Sequence, residues 1–258
     1  MLLSAATHLR TQITSLLAFY DPIARDDIAG GYNNQLRDDG TVYDKSTKHV
    51  VGTCRFAVNY AIAARLFPEK SAAYKDMCAH GIKFLVEKHA DKEYDGFSWV
   101  LKAEGGECEI ADGTKYCYSL AFSLLALANA RLSGVDGVDA HIDKALNLAE
   151  TIYYEPSHGL YIDSFDRTLK TPNAYRGQNA NMHMCEALIA VYEARRDPAI
   201  LQRAVNVARR LTVELCAPST GSNGWVIEHY TSDWMPDPLK NKDADPLSEE
   251  YIFRPPGF

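Results

Sequence analysis

Leu120-Ala121-Phe122-Ser123-Leu124-Leu125-Ala126-Leu127-Ala128 and Val50-Val51-Gly52-Thr53-Cys54-Arg55-Phe56-Ala57-Val58 are apolar nearly all the way round a helical repeat. A helix of that kind has no face to give to water and belongs inside a fold. Working outward, apolar residues recur at helical spacing in segment after segment. They predict seven helices: Ser4 to Tyr20, Lys48 to Phe67, Ser71 to Lys88, Thr114 to Leu132, Val138 to Tyr153, Asn179 to Arg196, and one from Asp197-Pro198 to Cys216. Pro22, Pro68, Pro156 and Pro218 and the pair Ser133-Gly134 punctuate the helix ends. Ser4–Tyr20 and Val138–Tyr153 carry more polar faces and suit an outer layer around the two apolar helices.

Between the helices lie Gly30-Gly31-Tyr32-Asn33, Asp95-Gly96-Phe97-Ser98-Trp99-Val100, Gly159-Leu160-Tyr161-Ile162-Asp163 and Gly224-Trp225-Val226-Ile227-Glu228-His229. Each joins glycine to an aromatic and then to strand-like residues. They recur about every sixty-five residues, once per helical hairpin, which is an internal repeat. Stacked hairpins bury one helix face against the neighbouring unit. The predicted class is all-α with short β excursions, either a closed α/α ring or an open superhelix.

Composition excludes several functions. A net charge of -7 without a basic cluster argues against nucleic acid and anionic membrane as partners. No apolar run approaches the roughly 20 residues of a membrane span. Met1 to Arg10 lacks a basic region ahead of its apolar residues, so no secretory signal is read there. Cys54, Cys78, Cys108, Cys117, Cys185 and Cys216 are scattered and form no CxxC, which fits a reduced, cytoplasmic protein and no zinc site.

Candidate functional residues are the polar ones in apolar places. Arg55 lies inside an otherwise buried helix, where an unpaired guanidinium is costly. It either forms a structural ion pair or holds an oxygen-rich ligand in a polar cavity. Asn179, His183 and Glu186 fall on one helix face, and Glu186 either orients the imidazole or accepts from a substrate hydroxyl. The HxxE spacing lacks the second histidine of a zinc motif, so no metal is expected. Tyr118 opens the second apolar helix, as a core residue or with its hydroxyl at a rim. Trp99 and Trp225 follow glycine loops and serve either sugar stacking or packing. Arg254 sits in the terminal stretch Glu249–Phe258, which has no helical pattern. Glu186 and Glu228 are nominal carboxylates for a hydrolase, but neither has a context that singles it out.

Five blocks in order carry a family resemblance: Gly30-Gly31-Tyr32 with Asp38-Asp39-Gly40, Thr47 to Arg55, Lys115 to Phe122, Asn179 to Glu186, and Arg254-Pro255-Pro256-Gly257-Phe258. Together they resemble the N-acylglucosamine 2-epimerase superfamily, whose members include renin-binding protein, cellobiose 2-epimerase and mannose isomerase. The resemblance implies an (α/α)6 barrel and a single barrel domain over residues 1–258, incomplete at its C-terminus. It implies isomerisation or epimerisation of a monosaccharide or disaccharide without metal or redox cofactor. Arg55, Tyr118, Asn179, His183 and Arg254 match substrate-pocket positions of the family. The family's general base is a histidine in a sequence resembling Q-P-G-H-x-x-E-W, beyond the segment matching Arg254–Phe258, and a second histidine lies further on. Seven helices make little more than half of such a barrel. Either the sequence is part of a longer protein or the gap closes by association between copies. The implied reaction is aldose–ketose isomerisation of the mannose–fructose type, with 2-epimerisation or an inactive sugar-binding homologue as alternatives.

Overall fold

The computed structural model describes residues 5–222, 224–248, 250 and 251. Seven helices are present among them: α1 (Ala5–Tyr20), α2 (Val50–Leu66), α3 (Ser71–Phe84), α4 (Cys117–Ser133), α5 (Asp139–Leu148), α6 (Gln178–Arg195) and α7 (Pro198–Arg209). α4 packs between α2 and α6, and α3, α5 and α7 cover α2, α4 and α6 in turn. Leu120, Leu124 and Leu127 are fully enclosed, as the all-round apolar pattern requires. The inner row is therefore α2–α4–α6, with the other four helices outside it.

Short connections join each inner helix to its outer partner. Phe67–Lys70 links α2 to α3, Gly134 in a left-handed conformation ends α4, and Asp197 caps α7 with Pro198 in its first turn. The return connections are long and carry the strands, so the three inner helices run parallel and start at the same end. The last turn of each of α3, α5 and α7 is continued by a π turn, over Leu85–His89, Ala149–Tyr153 and Arg210–Glu214. The expected helices to Lys88, Tyr153 and Cys216 thus divide into an α part and a π turn.

Eleven short strands form five small antiparallel sheets among the described residues. They are β1 (Gln35–Leu36), β2 (Val42–Asp44), β3 (Thr47–His49), β4 (Val100–Glu104), β5 (Glu107–Asp112), β6 (Lys115–Tyr116), β7 (Tyr154–Glu155), β8 (Leu160–Tyr161), β9 (Ser164–Phe165), β10 (Arg176–Gly177) and β11 (His229–Tyr230). β3, β6 and β10 lead directly into α2, α4 and α6. Each pairs with a strand of the following connection: β3 with β4, β6 with β9, and β10 with β11. This corrects two expected helix starts. Lys48 and Thr114–Tyr116 precede their helices, and Lys48, Lys115 and Tyr116 are strand.

The strands hold a repeated ion pair. Lys48 Nζ lies 2.7 Å from Asp26, Lys115 Nζ 2.8 Å from Asp91, and Arg176 Nε 2.9 Å from Glu155. In each unit the cation stands two residues ahead of an inner helix, and the acid lies just beyond the preceding outer helix. All three cations are buried. Removing one partner of such a pair strands the other charge in low dielectric.

Candidate functional site

The ion pairs set a common register for the inner helices. Seven residues beyond Lys48, Lys115 and Arg176 stand Arg55, Phe122 and His183. Parallel helices in the same register bring these positions side by side. The Arg55 guanidinium lies over the Phe122 ring, 5.0 Å from its centroid. Phe122 and His183 are 4.8 Å apart between ring centroids. Tyr118 closes the group: Arg55 Nη2 donates to its hydroxyl at 3.3 Å, and its ring meets His183 edge-on at 4.9 Å. Arg55 is exposed, with most of its donors free for a ligand.

His183 and Glu186 act as one unit. Nδ1 lies 2.9 Å from Glu186 Oε2. A carboxylate only accepts, so Nδ1 carries the proton and Nε2 keeps a lone pair in the neutral ring. Asn179 is exposed one helical turn before His183, on the same face. Its neighbour Asn181 is buried and structural, accepting the Tyr161 amide and donating to the Tyr161 and Gly177 carbonyls. Trp99 extends the row at the other end, 4.5 Å from Tyr116 and 6.2 Å from Tyr118 between centroids. Arg254 lies outside the described residues.

On the far side of Arg55, a groove of about 500 Å³ runs between α1 and α2, lined by Ile13, Leu17, Tyr20, Phe56 and Leu66. It is largely apolar and does not include Tyr118 or His183. Arg55 therefore borders two features, a polar row and an apolar groove. No cluster of three metal-ligating side chains occurs among the described residues.

The last glycine–aromatic stretch divides. His229 is buried, with Nδ1 2.7 Å from the Tyr175 hydroxyl. Trp225, by contrast, is exposed and stacks on nothing in the row. Two residues were missed. Phe122 is hidden in the sequence because an apolar residue in an apolar helix carries no signal, although aligning the three basic residues exposes it. His49 was passed over because it precedes the helix it caps; its Nδ1 accepts from the Val51 amide.

The family model of N-acylglucosamine 2-epimerase matches residues 30–257. The chain belongs to the N-acylglucosamine 2-epimerase family. Among family members, a D-mannose isomerase of Marinomonas mediterranea is 39% identical over 252 residues, 98% of this chain and 60% of that protein. A cellobiose 2-epimerase of Bacteroides fragilis is 20% identical over 86% of this chain and 57% of its own length. The crystal structure of a D-mannose isomerase superposes with a TM-score of 0.89 at 38% identity, covering 100% of this chain and 63% of that one. The helical hairpins of this chain thus superpose on part of a family structure, and the chain spans about three fifths of the length of the first of these relatives.

Proposed function

We propose that the row Arg55–Tyr118–Phe122–His183 binds an open-chain sugar for aldose–ketose isomerisation of the D-mannose to D-fructose type. The observation that carries this reading is the row itself: one guanidinium, one oriented imidazole and aromatic surfaces, drawn from the first turns of three parallel helices. Abstraction of the C2 proton of the aldose leaves a cis-enediolate, with negative charge spread over the O1 and O2 oxygens. Arg55 supplies fixed donors to that charge, and the N-termini of the inner helices face the same end. His183 Nε2 accepts a hydroxyl proton, and Glu186 holds the ring for it. Return of the proton to C1 gives the ketose. Return to the opposite face of C2 gives the epimer, so a 2-epimerase shares every step but the last. The resemblance to the 20%-identical cellobiose 2-epimerase keeps that second reading.

The remaining features of the reading are an (α/α)6 ring completed by further hairpins, one α/α domain over residues 1–258, a cytoplasmic setting, and a base supplied by the family histidine beyond the Arg254–Phe258 segment. The hydrolase alternative loses Glu186, which is spent on His183. No helix among the described residues is long and apolar enough to cross a membrane. The test is D-mannose in D2O followed by NMR. Fructose carrying deuterium at C1 supports isomerisation, and glucose carrying deuterium at C2 supports epimerisation. Sugar binding without exchange, persisting when the chain is fused to the C-terminal share of a family member, identifies an inactive homologue, and no binding removes the sugar-site reading.

A further inference from the structure

His49 borders the row without a role in the reaction described above. Its Nδ1 accepts the Val51 amide N–H at 3.1 Å, capping α2. A ring nitrogen that accepts carries no proton, so the neutral imidazole holds its proton on Nε2. Burial holds the imidazole below its usual range, helped by the charge of Arg55 and opposed by that of Asp112. The ring is therefore neutral near pH 7. It packs edge-on with the Trp99 indole, centroids 4.2 Å apart, and Trp99 leads to Tyr118 and through it to Arg55. Nε2 takes no hydrogen-bond partner among the described residues and is not sealed from solvent.

We propose that His49 is a sugar-binding residue, its Nε2–H fixed by the helix cap as a neutral donor to a hydroxyl oxygen of the sugar held along Trp99 and Arg55. The proposal rests on the sugar-site reading above. A neutral donor adds direction to binding without competing with Arg55 for the enediolate charge.

The test is a titration of the 258-residue chain, labelled with 15N-histidine, by D-mannose, read in long-range 1H–15N spectra. His49→Ser and His183→Gln variants assign the signals. The expected result is a protonated Nε2 and bare Nδ1 at His49 before sugar, then joint shifts of His49 Nε2 and His183 with mannose. Serine keeps a capping oxygen and loses the ring. His49→Ser is expected to bind mannose about three- to tenfold more weakly, the range of one lost neutral hydrogen bond, with unchanged helical circular dichroism. If that variant does not fold, the tautomer and the titration of the unaltered chain still decide. A proton found on Nδ1 overturns the proposal. So does mannose that shifts His183 and leaves His49 Nε2 unmoved, because the proton is then spent on the Trp99 ring. Mannose that shifts neither histidine overturns the sugar-site reading and this proposal with it.

Discussion

Arg55 was legible in the sequence because a guanidinium in an apolar helix is an energetic anomaly that demands a reason. His183 and Glu186 were legible from helical spacing, and the 2.9 Å contact between them meets that expectation. Arg55 also stacks on Phe122 and donates to Tyr118, two contacts of different strength. Lysine has neither the planar face nor the fork of donors. Arg55→Lys is expected to lower mannose affinity about tenfold to a hundredfold while the fold persists. Tyr118→Phe, which loses one 3.3 Å bond, is expected to cost about threefold or less. Isothermal titration calorimetry of both variants checks the ratio. A second residue-scale prediction concerns His89, which is fully buried between Thr53 and the Ser98 carbonyl. Burial lowers its folded-state value to about 3, against an ordinary 6.5. The unfolded chain therefore binds the extra proton first. This contribution to stability is complete above about pH 6.5 and is lost as pH falls toward 3, by up to about 1.4 kcal/mol per pH unit. His89→Gln is expected to flatten the acid limb in urea denaturation at stepped pH.

At the scale of elements, the hairpin periodicity was readable, but the strands before each inner helix were not. Thr114–Tyr116 looks like helix because Lys115 and Tyr116 tolerate one. The structure keeps them extended so that Lys115 reaches Asp91 and β6 reaches β9. Local pattern cannot announce a partner 24 residues away. The burial of His229 was not legible for the same reason, since nothing local predicts that β11 pairs with β10 and sets His229 against Tyr175. The buried pairs predict unequal costs. Lys115→Met leaves the Asp91 carboxylate enclosed with Arg167 as its remaining side-chain cation, and is expected to cost about 3 kcal/mol or more. Lys102→Met loosens a half-exposed pair with Asp44 and is expected to cost about 1 kcal/mol or less. Thermal denaturation of the two variants decides whether burial sets the difference. Asp163 acts at the start of α6, where its carboxylate accepts the Gly177 amide at 2.6 Å. Burial pushes it up to about 8, against the Gly177 hydrogen bond and the Arg176 charge, which pull it down. A raised acid binds its proton more tightly when folded. Its stabilisation is present below about pH 3.8 and is lost as pH rises through about 8. Between about pH 3.8 and 6.5 this slope opposes that of His89, and between 6.5 and 8 it acts without it. Asp163→Asn keeps an acceptor for Gly177 and is expected to remove the decline between pH 6.5 and 8.

At the scale of the whole molecule, the inner row has two unlike flanks. α4 is covered on both sides, whereas α2 and α6 each have an inner neighbour on one side only among the described residues. Ile62 and Leu66 on α2, Leu16 on α1, and Ile189 on α6 stay exposed, and the groove beside α2 is apolar. Apolar faces of this extent attract a cover. The architecture of stacked hairpins was legible from periodicity, but what covers the outer flanks was not, because a helix pattern shows an apolar face and not its partner. The chain spans 60% of the Marinomonas mediterranea D-mannose isomerase, and the remaining share of that protein has the length of several hairpins. We therefore expect the 258-residue chain alone to bind a hydrophobic dye and to show weak or no mannose–fructose interconversion. General-base catalysis contributes about 10²–10⁴-fold, and the family resemblance places that base past Arg254–Phe258. Of the histidines near the row, His49 spends its basic Nδ1 on capping α2, and the Nε2 lone pair of His183, oriented by Glu186, is assigned to a hydroxyl proton and not to C2. His229 is buried against Tyr175. A fusion of this chain to the C-terminal share of the relative is expected to lose dye binding and gain activity together, because the same hairpins cover the flank and carry the base. Gain of activity without loss of dye binding separates the two roles. Robust interconversion by the 258-residue chain itself overturns the argument, and leaves the Nε2 lone pair of His183 as the base to test by His183→Gln.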